Sequence, residues 1–322
     1  MPGGTCHDDP ARAVTALVAV ASYLPETRVP IEDLADRLDL TDREVRVFQR
    51  FHGLNEVCRD PGTLLDLLQG ATAKLTELTG VEDRVRYVLY ARGIPAAVPY
   101  PLNPLHELCG SLGLAQAVAF TVTHHACASS LLALDIAGRL LAADGDPDAL
   151  ALVLTGEKAF TREAELVPDT SIFGEGAGAC LVAADGPRDR LLSYATDQRG
   201  EFDPCAADPA ELAASYSKQY PQSLADVLLA AVRQARLQVA DISLILPHNV
   251  NTVSWRRVCK RIGFPVERVL LDNVPLTGHC FAADAFINYR TAAELGLLRP
   301  GQHYLVAAAG LGAVFSAMVF QH

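Results

Sequence analysis

Apolar strands alternating with helical patterns along the whole chain predict an α/β protein, and two further observations refine this to a duplicated one. The strand candidates are continuous apolar runs, as in "ALALVLT" (149–155) and "HYLVAAAG" (303–310), so their sheets are expected to be covered on both faces. In addition, "HACASSLLALDIAGRLL" (125–141) is echoed by "GHCFAADAFINYRTAAEL" (278–295), each a His close to a Cys that opens an apolar helix. The polar, Pro-containing "ADGPRDR" (184–190) divides the chain into residues 1–185 and 186–322.

The elements follow in order. "AVTALVAVASYLP" (13–25) reads as a strand stopped by proline, and "IEDLADRLDLTDREVRVFQRF" (31–51) as a charged helix. "DRVRYVLYARGIP" (83–95) is a strand leaving into a Pro-bounded loop, "LHELCGSLGL" (105–114) a short helix, and "AQAVAFTVT" (115–123) a buried strand. The segment after Cys127 has apolar residues on nearly every side, so it belongs in the interior. Then come a buried strand at 148–157 and "FGEGAGACLVAAD" (173–185), a tight glycine turn entering another strand. The second half repeats the grammar: helix 223–237, strand 242–248, helix 254–263, short strand 268–272, helix 283–296, and strands 303–310 and 313–320. Loops 90–104 and 198–220 are expected to shape the pocket.

The 322 residues are 50% hydrophobic and 20% charged, enough for one large core or two fused ones. A formal charge of −11 repels nucleic acid and anionic lipid at long range, so neither is expected as a general partner. "MPGGTCHDDPARAV" lacks the layout of a secretory signal, and no apolar run approaches the ~20 residues that cross a bilayer, so a cytoplasmic protein is expected. The 8 cysteines include no CxxC pair, so no disulfide framework is expected.

Candidate chemistry falls on a few residues. Cys127 follows a strand and opens a buried helix, where free backbone amides and the positive end of the helix dipole favour a thiolate. A thiolate forms a thioester well, which points to acyl transfer. His248 stands just past the strand in "LILPHNVN", with Asn249 and Asn251 behind it, where the sheet can aim it into a cleft and a neighbouring amide or carbonyl can hold its second ring nitrogen. His279 in "TGHCFAAD" precedes a buried helix as Cys127 does, and could equally be a helix cap. Gly310 and Gly312 in "AAAGLGAVFSAMVF" offer bare backbone amides to a ligand oxygen. The glycines of "FGEGAGACLV" enter a strand rather than a helix, which excludes a dinucleotide fingerprint and leaves close backbone packing. His124, His125 and Cys127 point to different faces, so no metal site is expected. Arg256, Arg257, Lys260 and Arg261 form a basic patch on one short helix, either a docking surface for an acidic partner or a solvated face.

Taken in order, "ASYLPETRVPIEDLADRLDLTD", "HHACASSLLALDIA", "FGEGAGACLV", "LPHNVN" and "GLGAVFSAMVF" resemble the β-ketoacyl-acyl-carrier-protein synthase III enzymes of the thiolase superfamily, over nearly the whole chain. The resemblance implies a five-layered αβαβα fold of two duplicated halves, a homodimer, and substrates carried on CoA or on the phosphopantetheine of an acyl carrier protein, with no bound cofactor. It implies Cys127 as acyl-accepting nucleophile, His248 and His279 as its catalytic partners, and the amides of Cys127 and Gly310 as an oxyanion hole. The basic patch becomes a surface for the carrier protein. Two departures stand out. "GHCF" replaces the family's "GNTS", giving a Cys-His-His set like that of elongating ketosynthases, and "DREVRVFQRFHG" replaces the tryptophan region that holds CoA. Acetyl-CoA priming is therefore not expected, and the Ala/Arg-rich composition points to a specialised, secondary-metabolic role. The reaction expected is decarboxylative condensation of an acyl-S-Cys127 intermediate with a malonyl-type thioester, both histidines donating as neutral imidazoles to the enolate oxygen. The alternative is an acyltransferase without decarboxylation, in which His248 is general base for a hydroxyl or amine acceptor. A non-catalytic partner subunit would usually lack the nucleophile.

Overall fold

The computed structural model describes residues 15–94, 98–99, 101–202 and 209–322, with the backbone alone for 209–213. The N-terminal stretch read above and parts of the loops 90–104 and 198–220 lie outside the described residues. In chain order the principal elements are β1 (Ala16–Tyr23), α1 (Leu64–Thr72), β2 (Val85–Ala91), α2 (Pro104–Ser111), β3 (Val118–Val122), α3 (Ser129–Asp144), β4 (Leu150–Gly156) and β5 (Ala177–Ala183). They are followed by β6 (Arg190–Gln198), α4 (Pro209–Gln234), β7 (Ile242–Leu246), α5 (Thr252–Ile262), α6 (Asp284–Glu294), β8 (His303–Gly310) and β9 (Val314–Gln321).

The nine strands run in the order β7-β8-β9-β6-β1-β5-β4-β2-β3. Outward from β1, pairing is antiparallel to β5, antiparallel to β4, then parallel to β2 and β3. Outward from β6 the same sequence recurs: antiparallel to β9, antiparallel to β8, parallel to β7. The fifth place of this second series is held by a single parallel bridge, Ile245↔Val269. The two series meet at one antiparallel pair, Ala16↔Arg190. Helices repeat with the strands, so α1, α2 and α3 have counterparts in α4, α5 and α6.

Burial explains the layering. Leu131, Leu134 and Leu141 of α3 and Phe286 and Tyr289 of α6 share one core cluster with inward residues of both series, such as Val153 and Met318. On one outer side Leu67, Leu68 and Leu108 of α1 and α2 pack on the first series. On the other, Leu224, Leu228, Trp255 and Val258 of α4 and α5 pack on the second. The result is helix, sheet, helix pair, sheet, helix: an α/β thiolase-like fold of five layers. Because α3 lies between two sheets it has no polar face. By length and composition Ala126–Asp144 could cross a membrane, contrary to the sequence reading, and its place in the central layer accounts for that composition.

Other expectations need correction. The helix read over 31–51 is broken: Asp39 takes a left-handed conformation (φ 53°) that ends one short turn, and a capping box between Thr41 and Glu44 starts the next. Strand 115–123 is not buried but an edge, with Val118 exposed, because β3 ends the sheet. Strand 268–272 is reduced to the one bridge at Val269. From Pro209 onward the loop read over 198–220 is the start of α4, with Pro221 inside the helix. The glycines of 173–185 do serve close packing: a Cβ on Gly174 would stand 1.8 Å from the Thr277 carbonyl oxygen, and one on Gly178 would meet Phe286 at 2.6 Å. One helix and one strand among these elements have no counterpart in the sequence analysis: α1, at 64–72, and β6, at 190–198.

Candidate active site

Between β3 and α3 the chain turns through an elbow in which His124 (φ 67°) and Ala126 (φ 45°) take left-handed conformations that cost residues bearing a Cβ, and 126–128 form a 3-10 turn. Such strain persists where the surroundings over-determine it. Here Gly310 presses on the elbow so closely that a Cβ there would stand 2.1 Å from the His125 carbonyl oxygen, and Gly93 packs on Ala126 and Cys127. Cys127 is thereby set at the head of α3, 6% exposed, among Ala159, Phe173 and Phe281.

A matching elbow precedes α6. Gly278 (φ 66°) and Phe281 (φ 52°) take the left-handed region, and 281–283 form the 3-10 turn. Counted back from each helix start, Ala282 is the counterpart of Cys127 and His124 that of His279, so the two cysteines of the sequence echo do not correspond. Asp284, the first residue of α6, is 1% exposed and accepts hydrogen bonds from His279 Nδ1 (2.5 Å), the Asn249 and Cys280 backbone N–H groups (2.5 and 2.9 Å) and Asn249 Nδ2 (3.2 Å). With Nδ1 engaged, the other face of the His279 ring meets the Cys127 side chain in a hydrogen bond. Burial alone would lower the His279 pKa, but Cys127 and Asp284 together outweigh it and raise it to about 10. The expectation of two neutral imidazoles thus fails at His279, because a carboxylate stands behind it.

His248 is placed as expected at the exit of β7, 1% exposed, its ring centroid 5.8 Å from that of His279. Burial pushes its pKa down to about 3, and neighbouring His279 adds to the effect. Nδ1 faces the Ala307 backbone without a well-formed hydrogen bond, a contact that favours a proton on that nitrogen. Nε2 lies 2.6 Å from the Tyr220 hydroxyl. Burial raises the Tyr220 pKa well above its ordinary value, so the phenol keeps its proton and donates it to Nε2. Trp255 of α5 donates its Nε1–H to the His248 carbonyl oxygen (3.0 Å) and packs edge-on to the ring. Asn249 serves Asp284 rather than His248, and Asn251 caps α5 by accepting from the Ser254 N–H at 2.7 Å.

Three residues escaped the sequence reading: Asp284, Tyr220 and Glu157. Glu157 follows β4 and accepts from the Gly93 and Ile94 N–H groups, each at 2.7 Å, fixing the strand exit that presses on the Cys127 elbow. Burial raises its pKa to about 7. Arg256, Arg257, Lys260 and Arg261 all lie exposed on the outer face of α5. Arg257 also rims a cavity of about 250 Å³ that reaches inward to Tyr216 and Tyr220.

A thiol, an imidazole and a carboxylate thus meet at the head of a buried helix, inside a duplicated five-layered fold, an arrangement able to support acyl transfer. Residues 232–322 match the family model described as 3-oxoacyl-[acyl-carrier-protein (ACP)] synthase III C terminal. The chain is 23% identical to the β-ketoacyl-[acyl-carrier-protein] synthase III of Xanthomonas campestris pv. campestris (strain 8004), over 97% of this chain and 99% of that one. Among solved structures it is similar to the acyltransferase ChlB3 (TM-score 0.83, 19% identity, 96% of this chain and 97% of that one). It is also similar to the 3-oxoacyl-(acyl carrier protein) synthase III of Pseudomonas aeruginosa PAO1 (TM-score 0.79, 23% identity, 96% and 98%). The family match thus lies in residues 232–322, and over the whole chain the likeness to ketosynthase III enzymes is one of fold and distant sequence.

Proposed function

We propose that the protein transfers an acyl group from a carrier thioester, through acyl-S-Cys127, to a hydroxyl or amine acceptor without decarboxylation. The observation that supports this over condensation is the Asp284 carboxylate on His279 Nδ1, 2.5 Å away, with the opposite side of the ring on the Cys127 thiol. Condensation asks for two neutral donors at the enolate oxygen, whereas a carboxylate-backed imidazole moves protons to and from a nucleophile.

In acylation the proton of the Cys127 thiol is already held on His279, whose raised pKa keeps it there, and the sulfur attacks the thioester carbonyl. The amides of Cys127 and Gly310 hold the oxyanion, at roughly 3 kcal/mol per donor. Collapse breaks the bond to the carrier sulfur, which leaves with the proton from His279. In the second half the acceptor oxygen or nitrogen attacks the acyl carbon and yields its proton to His248 Nε2, the nitrogen that now accepts from Tyr220. The carbon–sulfur bond then breaks, and the proton returns through the imidazoles to Cys127. Once His279 is uncharged, the repulsion that depresses His248 is relieved, so its basicity rises at the step that needs it.

The donor is read as an acyl carrier protein or CoA thioester, with Arg256, Arg257, Lys260 and Arg261 as the carrier's docking surface beside the cavity. The free edge of β3, with Val118 exposed, supports a homodimer. The test combines acyl-CoA donors, carboxyl-labelled malonyl-CoA and small alcohols or amines with the purified protein. Ester or amide product and a Cys127-acylated mass, without labelled CO₂, are expected. Labelled CO₂ released in step with a β-keto thioester would overturn the reading.

A further inference from the structure

Tyr220 comes from α4, an element otherwise devoted to covering the outer face of the second sheet series. Its ring packs edge-on to Tyr216 and Phe315, and its hydroxyl, inside the site, meets His248 Nε2 at 2.6 Å. The cavity rimmed by Arg257 and Ser254 ends against Tyr216, Tyr220 and Pro221. Tyr220 therefore stands between that cavity and His248. The residue after it is Pro221, which has no N–H and so removes one hydrogen bond of the helix ladder beside Tyr220. A tyrosine hydroxyl at this spot does chemically what an acceptor hydroxyl must do, which is to present O–H to the neutral ring nitrogen of His248.

We propose that Tyr220 is a positioning residue that holds the acceptor's place at His248: its phenol occupies Nε2 until the acceptor displaces it, and so denies that base to water while Cys127 is acylated. The reaction suppressed is hydrolysis. Water would add to the acyl carbon and pass a proton to Nε2, the carbon–sulfur bond would break, and carboxylic acid and free Cys127 thiol would form. The proposal rests on the acyl-Cys127 intermediate of the proposed function, but not on the nature of the natural acceptor.

The probe is p-nitrophenyl butyrate, which acylates a reactive thiol without any carrier. The burst of nitrophenolate measures acylation, and the steady state measures hydrolysis of butyryl-Cys127. In Tyr220→Phe the ring and its packing remain and Nε2 is freed. The expected result is an unchanged burst and a steady-state rate raised about tenfold, below the 10²–10⁴ that a fully aligned base supplies. The same increase should vanish in the double variant Tyr220→Phe/His248→Gln, which a merely structural role for Tyr220 would not produce. A steady-state rate in Tyr220→Phe equal to that of the parent, or an increase that survives without His248, overturns the proposal. Should Tyr220→Phe misfold by circular dichroism, Tyr220→Met removes the hydroxyl with similar bulk and carries the same two outcomes. Labelled CO₂ in the malonyl experiment would count against the acyl-transfer reading alone, whereas unchanged hydrolysis would count against the role of Tyr220 alone.

Discussion

Helices α3 and α6 begin alike: each is preceded by a 3-10 turn whose first residue is forced to positive φ, Ala126 at 45° and Phe281 at 52°, and each lies in the central layer. Their first turns differ in charge. That of α3 has no acidic residue, and the buried Ser129 and Ser130 hydroxyls have no partner among the described residues. That of α6 opens with Asp284, which already accepts from two backbone amides. A helix N-terminus carries about half a positive charge. At α6 the chain neutralises it with its own carboxylate and hands the surplus negative charge to His279. At α3 it is left for sulfur and oxyanion. The two helix ends thus differ by one charge: that of α6 is neutralised by its own carboxylate, whereas that of α3 stays open beside Cys127.

Removing the Cys127 thiol, the proposed nucleophile, is expected to give the largest effect. Cys127→Ala should abolish the covalent mass increment and lower turnover by about four orders of magnitude or more, as loss of a triad nucleophile does elsewhere. Adding Ala282→Cys to that variant should restore nothing, because a thiol at the α6 elbow has Asp284 beside it in place of free amides. Recovery of acylation there, read by intact-protein mass spectrometry, would erase the distinction between the elbows.

Asp284→Asn comes next. The isosteric but uncharged amide cannot accept all of its hydrogen bonds and no longer supports a cationic His279, so turnover should drop by about 10²–10⁴. The pH dependence of stability separates the histidines. The His279 value stands above its ordinary 6.5, so its contribution is full below pH 6.5 and is lost as pH rises through about 10. The His248 value stands below, so its contribution is present above pH 6.5 and is lost as pH falls toward 3. In Asp284→Asn the alkaline limb of the melting temperature should move to lower pH while the acid limb stays. A shift of both limbs would mean that Asp284 supports the fold in general.

How much of this was legible in the sequence depends on the range of the interactions. Cys127, His248 and His279 were readable because each lies at a strand exit or helix entrance, where local sequence sets exposure and direction. The duplication was readable from the repeated order of strands and helices and from the echoed His and Cys, though its register was not: that echo suggests one alignment, whereas helix starts at Ser129 and Asp284 dictate another. Asp284 left a weak signal, a lone carboxylate opening an apolar helix. Tyr220 left none, because its partner lies 28 residues away and Pro221 made a 26-residue helix look like a loop. The exposure of β3 was equally hidden, since an edge is a property of the whole sheet.

Two glycines sharpen the comparison further. A Cβ on Gly310 meets backbone of the α3 elbow, so Gly310→Ala should displace Cys127 and the amides around it, lowering turnover by roughly tenfold to a hundredfold and stability by about 1–3 kcal/mol. On the α6 side, Gly278→Ala adds a left-handed alanine and a contact of 2.7 Å with the Ile172 carbonyl oxygen. It should cost comparable stability, but acylation of Cys127 should suffer less, since His279 keeps its carboxylate. Equal losses of burst rate in the two variants would show that the elbows act as one unit.

The smallest effect is expected farthest from the sulfur. Arg257 and Lys260 are exposed on α5, whose opposite face buries Trp255 against His248. Because charges on a rim act mainly on encounter, Arg257→Glu/Lys260→Glu should raise KM for a carrier-bound thioester by several-fold, about 1 kcal/mol, and should do so less as salt rises. kcat and the kinetics of p-nitrophenyl butyrate should not change, since neither elbow is touched. An equal rise in KM for free CoA thioesters would mean that the patch serves the small carrier's phosphates rather than an acidic protein. A fall in kcat would mean instead that the helix transmits its charge through Trp255 to the imidazole, and that the outer layer belongs to the site.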